Sequence, residues 1–208
     1  MSKLLYIQAS PRGERSSSTD VANTYIRAFK SVSADNTVTT LNIWDMNLPE
    51  FDGDRLNAKY SVLHGQNPNE AEALAWQQIV TLIEQFKNAD CYLLSVPMWN
   101  FSIPYKLKHY IDIITQPGLT FSVNPEAGFF GLVTGKPVTA IYSRGGEYST
   151  PEAKGMDFQK TYLEMALGFI GFREINSVLI EPTLADSNSV NNAIAIAKEK
   201  ATTLGENT

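Results

Sequence analysis

The chain has 208 residues, 43% of them hydrophobic and 19% charged, with 17 Lys and Arg against 22 Asp and Glu for a formal charge of -5. That balance suits a folded globular protein long enough for one well-buried domain and short for two, and it excludes disorder. No basic tract offers the electrostatic footprint of nucleic-acid binding, and no apolar run approaches the roughly 20 residues of a membrane-spanning helix.

The opening, MSKLLYIQAS, runs directly into a strand pattern with no signal-peptide flanks, so a cytoplasmic protein is expected. Leu4 to Ile7 form the first strand, reaching Gln8 or Ala9. Polar SPRGERSSSTD follows over Ser10–Asp20, and then Val21, Ala22, Tyr25, Ile26 and Phe29 recur at helical spacing to near Ser31. One of Ser16, Ser17 or Ser18 should cap that helix. Alternating, β-branched Thr37 to Ile43 give strand two. Trp44 to Asn69 has no clean period and reads as an irregular excursion with a short helical piece near Arg55–Leu63. It is long for a loop in a compact domain, so a functional or interface role is suspected.

Glu70 to Lys87 reads as a helix with Leu74, Ile79, Leu82, Ile83 and Phe86 on its packed side. Cys91 to Val96 is too short for a helix of usual length and reads as a buried third strand, with Cys91 as core filler. This lone cysteine also excludes an intrachain disulfide. Pro97 stops the apolar run, Met98-Trp99-Asn100-Phe101 follow, and Pro104 pre-sets the first turn of the next helix. A small hairpin-like insertion is expected within residues 118–134, around Asn124-Pro125. Pro137 to Tyr142 is strand four and leads into Ser143-Arg144-Gly145-Gly146. A helix over Phe158–Leu167 should end around Gly168. Strand five spans Glu174–Ile180 and is stopped by Pro182. A last helix over about Asn188–Ala201 carries Val190, Ile194 and Ala197 on one face and frays into a polar tail. The order is βα repeated about five times: an α/β protein, read as a single domain over 1–208, with helices on both faces of a parallel sheet.

Three loops leave the carboxyl ends of strands one, three and four, where open parallel sheets bind ligands. The serine-rich loop precedes a helix whose first amides and dipole can hold a phosphate, although serines there are also common caps. It matches neither GxxxxGK[ST] nor GxGxxG. Arg12 and Arg15 could reinforce the charge match or simply face solvent. Pro97–Phe101 offer a flat apolar surface with one polar handle, Asn100, or a turn whose rings cap the sheet. Gly145 and Gly146 let a ligand approach bare amides, and an ordinary turn explains them equally. Together the three suit a flat, phosphate-bearing ligand.

Other chemistries find little support. The chain has two histidines and lacks HExxH, a cysteine cluster and a GxSxG elbow, so neither a zinc site nor a hydrolase serine is expected. His109 reads as a helix-surface residue and His64 has no identifiable partner. Chemistry borrowed from a cofactor fits this scarcity of catalytic side chains.

The chain resembles the FMN-dependent NADH-azoreductases, in the wider flavodoxin-like NAD(P)H:quinone reductase group. The likeness rests on ASPRGERSSS at 9–18, PMWNFSIPYKLKHYID at 97–112, GLTF at 118–121, LVTGK at 132–136, SRGG at 143–146 and LGFIGF at 167–172. It implies a flavodoxin-like fold with a five-stranded parallel sheet in order 2-1-3-4-5. It also implies non-covalent FMN, with Ser10 and the Ser16–Ser17–Ser18 turn on the phosphate. Pro97, Met98, Trp99, Asn100 and Phe101 would wrap the isoalloxazine, and Ser143, Arg144, Gly145 and Gly146 would meet its pyrimidine side. Ser17 stands where close relatives often have Gln, and Trp99 where they often have Tyr. No metal is implied.

By the same resemblance, NADH delivers hydride to flavin N5 and leaves, and a quinone or azo compound then takes two electrons in the same position. The resemblance further implies a homodimer with active sites at the interface. Phe121, Phe129, Phe130 and the 44–69 excursion are candidates for the substrate wall. A flavodoxin-type electron carrier and a non-enzymatic flavin-binding protein are the alternatives.

Overall fold

Alternation of apolar runs with helical periods produces, in chain order, β1 (Lys3–Gln8), α1 (Ser17–Val32), β2 (Thr37–Asn42), α2 (Gly53–Leu63), α3 (Glu70–Lys87), β3 (Cys91–Pro97) and α4 (Tyr105–Ile114). The hairpin β4 (Phe121–Asn124) and β5 (Gly128–Gly131) follows, then β6 (Val138–Ser143), α5 (Phe158–Ile170), β7 (Ile175–Ile180) and α6 (Ser187–Glu206). The structure is a computed structural model that describes residues 1–126 and 128–208. Ala127, inside the segment read as a hairpin-like insertion, and the side chain of Val62 lie outside the description.

The main sheet is parallel and five-stranded, in the order β2-β1-β3-β6-β7. This differs from the expected 2-1-3-4-5. The segments around Phe121 and Gly128 are true strands that take the fourth and fifth places in chain order while pairing with each other, antiparallel, in a separate two-stranded sheet. The segments read as strands four and five are therefore β6 and β7.

Successive residues of a strand face opposite sides, and the three inner strands, β1, β3 and β6, are buried on both. Leu5, Ile7, Tyr92, Leu94 and Val96 pack with α3, α4 and α5 on one face. Leu4, Tyr6, Cys91 and Leu93 pack with α1 and α6 on the other. Burial pushes the Cys91 thiol up to about 12, with the charge of Asp90 adding to the effect, which keeps it protonated and inert. No described helix is long and apolar enough to cross a membrane.

Several boundaries depart from expectation. Leu74 is 67% exposed, because Trp76, Ile79, Ile83 and Phe86 define the packed face of α3 and Leu74 lies about 200° around the helix from Trp76. Pro104 takes the N-cap position of α4 and not its first turn. Helix α5 passes Gly168 and stops at Gly171, whose φ of +123° ends it. The tail does not fray: α6 runs on to Glu206 because Ala197, Ala201 and Gly205 let it lie close against α1. A Cβ on Gly205 would stand 2.5 Å from the Tyr25 carbonyl oxygen. The Tyr25 hydroxyl donates to Thr208 Oγ1 at 2.8 Å.

A second close approach fixes the hairpin. The end of β5 crosses the end of α5 so tightly that a Cβ on Gly131 would lie 2.2 Å from the Gly171 nitrogen. The Val133 amide donates to the Ile170 carbonyl at 2.9 Å beside that crossing.

Candidate functional site

Beyond β1 the chain must turn sharply to enter α1. Gly13 does this with a φ of +54° at the start of a single 3-10 turn, Gly13–Arg15. Ser16 then caps α1, its Oγ accepting from the Thr19 amide at 3.4 Å and lying 3.1 Å from Ser18 Oγ. Ser10, Ser16 and Ser18 are buried, Ser17 is half-buried, and Arg12 and Arg15 are exposed. The Ser17 and Ser18 amides lie in the first turn, beyond reach of intrahelical carbonyls, where the helix dipole is positive. This cradle of hydroxyls and amides suits a phosphate without needing either arginine.

Beyond β3, the Met98 amide donates to the Ser143 carbonyl at 2.8 Å, so β3 and β6 stay joined to their last residues. Trp99 and Ser102 exchange backbone hydrogen bonds of 2.8 and 2.9 Å around Asn100 and Phe101. Those two residues have φ of +46° and +70°, the pattern of a tight I′-type turn that normally takes Asn-Gly. Phe101 sits where glycine is favoured, at a cost on the order of 1–3 kcal/mol. The turn leaves Trp99, Asn100 and Phe101 exposed, with Pro97 and Met98 half-buried.

Trp44, from the start of the excursion, ties the first two loops together. Its ring packs 5.5 Å from that of Trp99 and edge-on to Tyr105, also at 5.5 Å. Its Nε1 donates to the Ala9 carbonyl at 3.0 Å. In the sequence this tryptophan opens the aperiodic 44–69 excursion, and nothing there singles it out from the rest of that segment. The excursion itself is held by α4: the Pro49 carbonyl is 2.9 Å from His109 Nε2, and Lys106 donates to the Met46 carbonyl at 3.4 Å. His109 is thus a half-buried tether and not a free surface side chain.

Ser143 ends β6, and Arg144 turns inward instead of toward the loops. Its side chain is 1% exposed and donates to Asp157 at 2.7 Å, Gln159 at 3.0 Å and Glu181 at 3.2 Å. Gln159 passes the connection on, donating to the Val96 carbonyl of β3 at 2.9 Å. Arg144's own amide and carbonyl are taken by Ile180 and Thr183. The Arg144 side chain is therefore committed to the interior, while Gly145 is half-buried and Gly146 exposed at that edge. A Cβ on Gly145 would meet only the end of the exposed Leu184 side chain, at 2.9 Å.

The structure brings the three loops to one edge of the sheet, and Phe121 and Phe129 line a different cavity from Trp99 and Asn100. Phe121 is half-buried and Phe129 and Phe130 are exposed. Phe121 and Phe129 cluster with Phe169, at 4.8 and 5.9 Å from its ring, and line a cavity of about 320 Å3 with Lys59 and Leu63. A separate cavity of about 340 Å3 lies against Trp99, Asn100, Tyr105 and Tyr162.

An open parallel sheet whose ligand-facing loops gather over the carboxyl ends of β1, β3 and β6 defines a flavodoxin-like protein. The family described as having the flavodoxin-like fold matches residues 2–204. The chain is 56% identical over 99% of its length, and 97% of the relative's, to an FMN-dependent NADH:quinone oxidoreductase of Desulfotalea psychrophila. Among solved structures, an azoreductase from Bacillus anthracis strain Sterne superposes with a TM-score of 0.91 at 28% identity over the whole of both chains. An FMN-dependent NADH-azoreductase from Bacillus anthracis strain Ames Ancestor, in complex with FMN, gives 0.86 at 28% identity over 99% of this chain and all of that one. The chain belongs to this flavodoxin-like family, among the FMN-dependent NADH:quinone oxidoreductases and azoreductases.

The Arg144 cluster makes a pH prediction. Burial alone would raise the Glu181 carboxyl, but hydrogen bonds from Ser149 and the Tyr148 amide, with the Arg144 guanidinium, outweigh it and hold the group below its ordinary 4.5. A depressed carboxyl contributes stability above its unfolded value and loses it as pH falls through the folded one. Glu181→Gln should therefore be less stable than wild type at neutral pH, with the gap closing below the ordinary carboxylate range. Thermal midpoints from pH 7 to about pH 3 would show this; a pH-independent gap would assign the loss to packing.

Proposed function

We propose that this protein is an FMN-dependent NADH:quinone oxidoreductase that also cleaves aromatic azo compounds. The observation that carries the reading is the serine-lined amino terminus of α1 beside the exposed Trp99–Phe101 turn, in a chain so similar to a named quinone oxidoreductase. FMN, when bound, supplies the two-electron chemistry between NADH and a quinone or azo acceptor.

The residues present fit that group. Ser10, Ser16, Ser17 and Ser18 would hold the phosphate through hydroxyls and first-turn amides, placing a dianion on the positive end of the helix. Pro97, Met98, Trp99, Asn100 and Phe101 would bound the ring, with Asn100 as the polar donor and the aromatic side chains excluding water. Ser143, Gly145 and Gly146 would present backbone groups to its polar edge, where fixed donors stabilise negative charge without reorganising. Arg144 acts at one remove, by fixing the ends of β6 and β3. No side-chain acid is assigned, and acceptor protons come from water. Donor and acceptor would use the site in turn.

The working form is a single-domain chain in a cytoplasmic homodimer whose partner completes the acceptor wall near Phe121, Phe129 and Phe130. The exposed Phe129, Phe130 and Phe169 support a further covering surface there.

Three measurements test this. FMN should bind more tightly than riboflavin, and Ser18→Ala should cost roughly ten-fold in FMN affinity, the scale of one charge-assisted hydrogen bond, while sparing riboflavin. Equal losses for the two ligands would move the phosphate elsewhere. Without oxygen or acceptor, NADH should bleach the bound cofactor and a quinone restore it, with parallel double-reciprocal lines in steady state; no bleaching by NADH or NADPH would leave an electron carrier. Sedimentation should give twice the 23.0 kDa chain mass, and a fully active monomer would rule out a shared pocket.

A further inference from the structure

Three rings close a triangle beyond the carboxyl edge of the sheet. Trp44 stands 5.5 Å from both Trp99 and Tyr105, and those two are 6.3 Å apart. Trp99 is 37% exposed and Tyr105 67%, so the half-buried Trp44 is the member that backs the other two from the protein side. Its main chain is fixed independently of the rings. The Ile43 amide donates to the Gln8 carbonyl of β1 at 3.2 Å, and the Trp44 amide donates to Asn42 Oδ1 at 3.2 Å. Asn42 is held in turn by Asp45, to which its Nδ2 donates at 2.7 Å. Trp44 therefore projects from a stationary backbone.

An indole has one polar group, a donor, and here it is given to the Ala9 carbonyl. Ala9 is fully buried, and its amide donates to the Ser95 carbonyl of β3 at 3.0 Å. The next residue is Ser10, where the serine cradle begins. One stiff side chain thus meets the serine loop through a hydrogen bond and the aromatic turn through packing. Whatever orders the Ala9–Ser10 peptide also sets the indole, and the indole sets the wall behind Trp99.

We propose that Trp44 is a positioning residue that couples the two halves of the site, so that a phosphate in the serine cradle tightens the binding of a flat ring at Trp99. With the Ala9–Ser10 peptide held by phosphate, the indole stays docked and Trp99 has a fixed backing; without it, that backing is slack. This coupling rests on the FMN reading proposed above and goes beyond it, because phosphate and ring become one linked recognition event. A flavin lacking the phosphate then loses more than the phosphate's own contacts. The effect is reciprocal, the ring tightening phosphate by the same factor. Its size is bounded by the single bond from Trp44 to Ala9, on the order of five-fold in affinity.

The test separates the halves, using inorganic phosphate and lumiflavin, the isoalloxazine without its ribityl chain, on the full chain without FMN. Lumiflavin, followed by its fluorescence, should bind roughly five-fold more tightly in saturating phosphate than in chloride of equal ionic strength. Trp44→Phe keeps a ring against Trp99 but has no N–H for Ala9. Its phosphate factor should fall toward one, while its lumiflavin affinity in chloride stays close to that of wild type. Trp99→Leu breaks the same link from the other end and should also lose the factor, so either variant decides the matter once its thermal midpoint shows that it folds. A factor of one in wild type, with both ligands bound, would overturn the coupling. So would a factor retained in Trp44→Phe beside equal weakening of lumiflavin in both buffers, which is what lost packing alone produces. If FMN itself fails to bind wild type, the cofactor reading fails and the coupling with it; FMN binding with no phosphate effect on lumiflavin removes the coupling alone.

Discussion

A guanidinium sealed inside the protein sets the terms for everything at the carboxyl edge of the sheet. Desolvating Arg144 is costly, and it is offset only because Asp157, Glu181 and Gln159 converge on its three nitrogens. Two partners come from the start of α5, where Asp157 is the cap and Gln159 reaches across to β3, and the third, Glu181, follows β7. The loop after β6 therefore cannot shift without exposing an unpaired buried charge, which typically costs about 3–5 kcal/mol. Glu181 extends the constraint to Tyr148, whose ring meets that of Phe101 edge-on at 6.3 Å. The aromatic turn is thereby steadied from outside its own segment.

Against that rigid frame, the groups proposed for the phosphate and for the ring's polar edge are backbone or small hydroxyls. Side chains that look chemically useful serve the architecture instead. His109 holds Pro49, Arg144 holds three strand ends, and the Tyr6 hydroxyl is paired with Ser95 Oγ at 2.8 Å. This division suits a protein whose reactive electrons reside in a cofactor: scaffold residues need only hold amides and rings still. The strained Phe101 belongs to the same pattern, since a glycine there would relax the turn and remove a ring from the site.

The strands were legible because burial on both faces of a parallel sheet leaves uninterrupted apolar runs, as in Cys91–Val96. The serine, aromatic and glycine loops were legible because each follows such a run directly. Side-chain direction was not. Nothing in SRGG tells whether Arg144 faces ligand or interior, because its partners are 13 to 37 residues away in sequence. Trp44 was hidden for a similar reason: its role depends on Ala9 and Trp99, on two other loops. Leu74 misled because it is apolar but out of phase with Trp76. The length of α6 was missed because small residues that permit close helix packing look, in sequence, like a fraying tail.

The meeting of Gly131 with Gly171 bears on how this scaffold can diversify. Main chain rests on main chain there, so no change of side chain can widen or cushion the contact without moving both elements. The hairpin is in effect riveted at its base and free to vary only toward its tip. A lineage or a designer wishing to reshape the cavity beside Phe121 and Phe129 is confined to residues between Phe121 and Phe130, and an exchange of the whole β4–β5 unit must carry its terminal glycine with it.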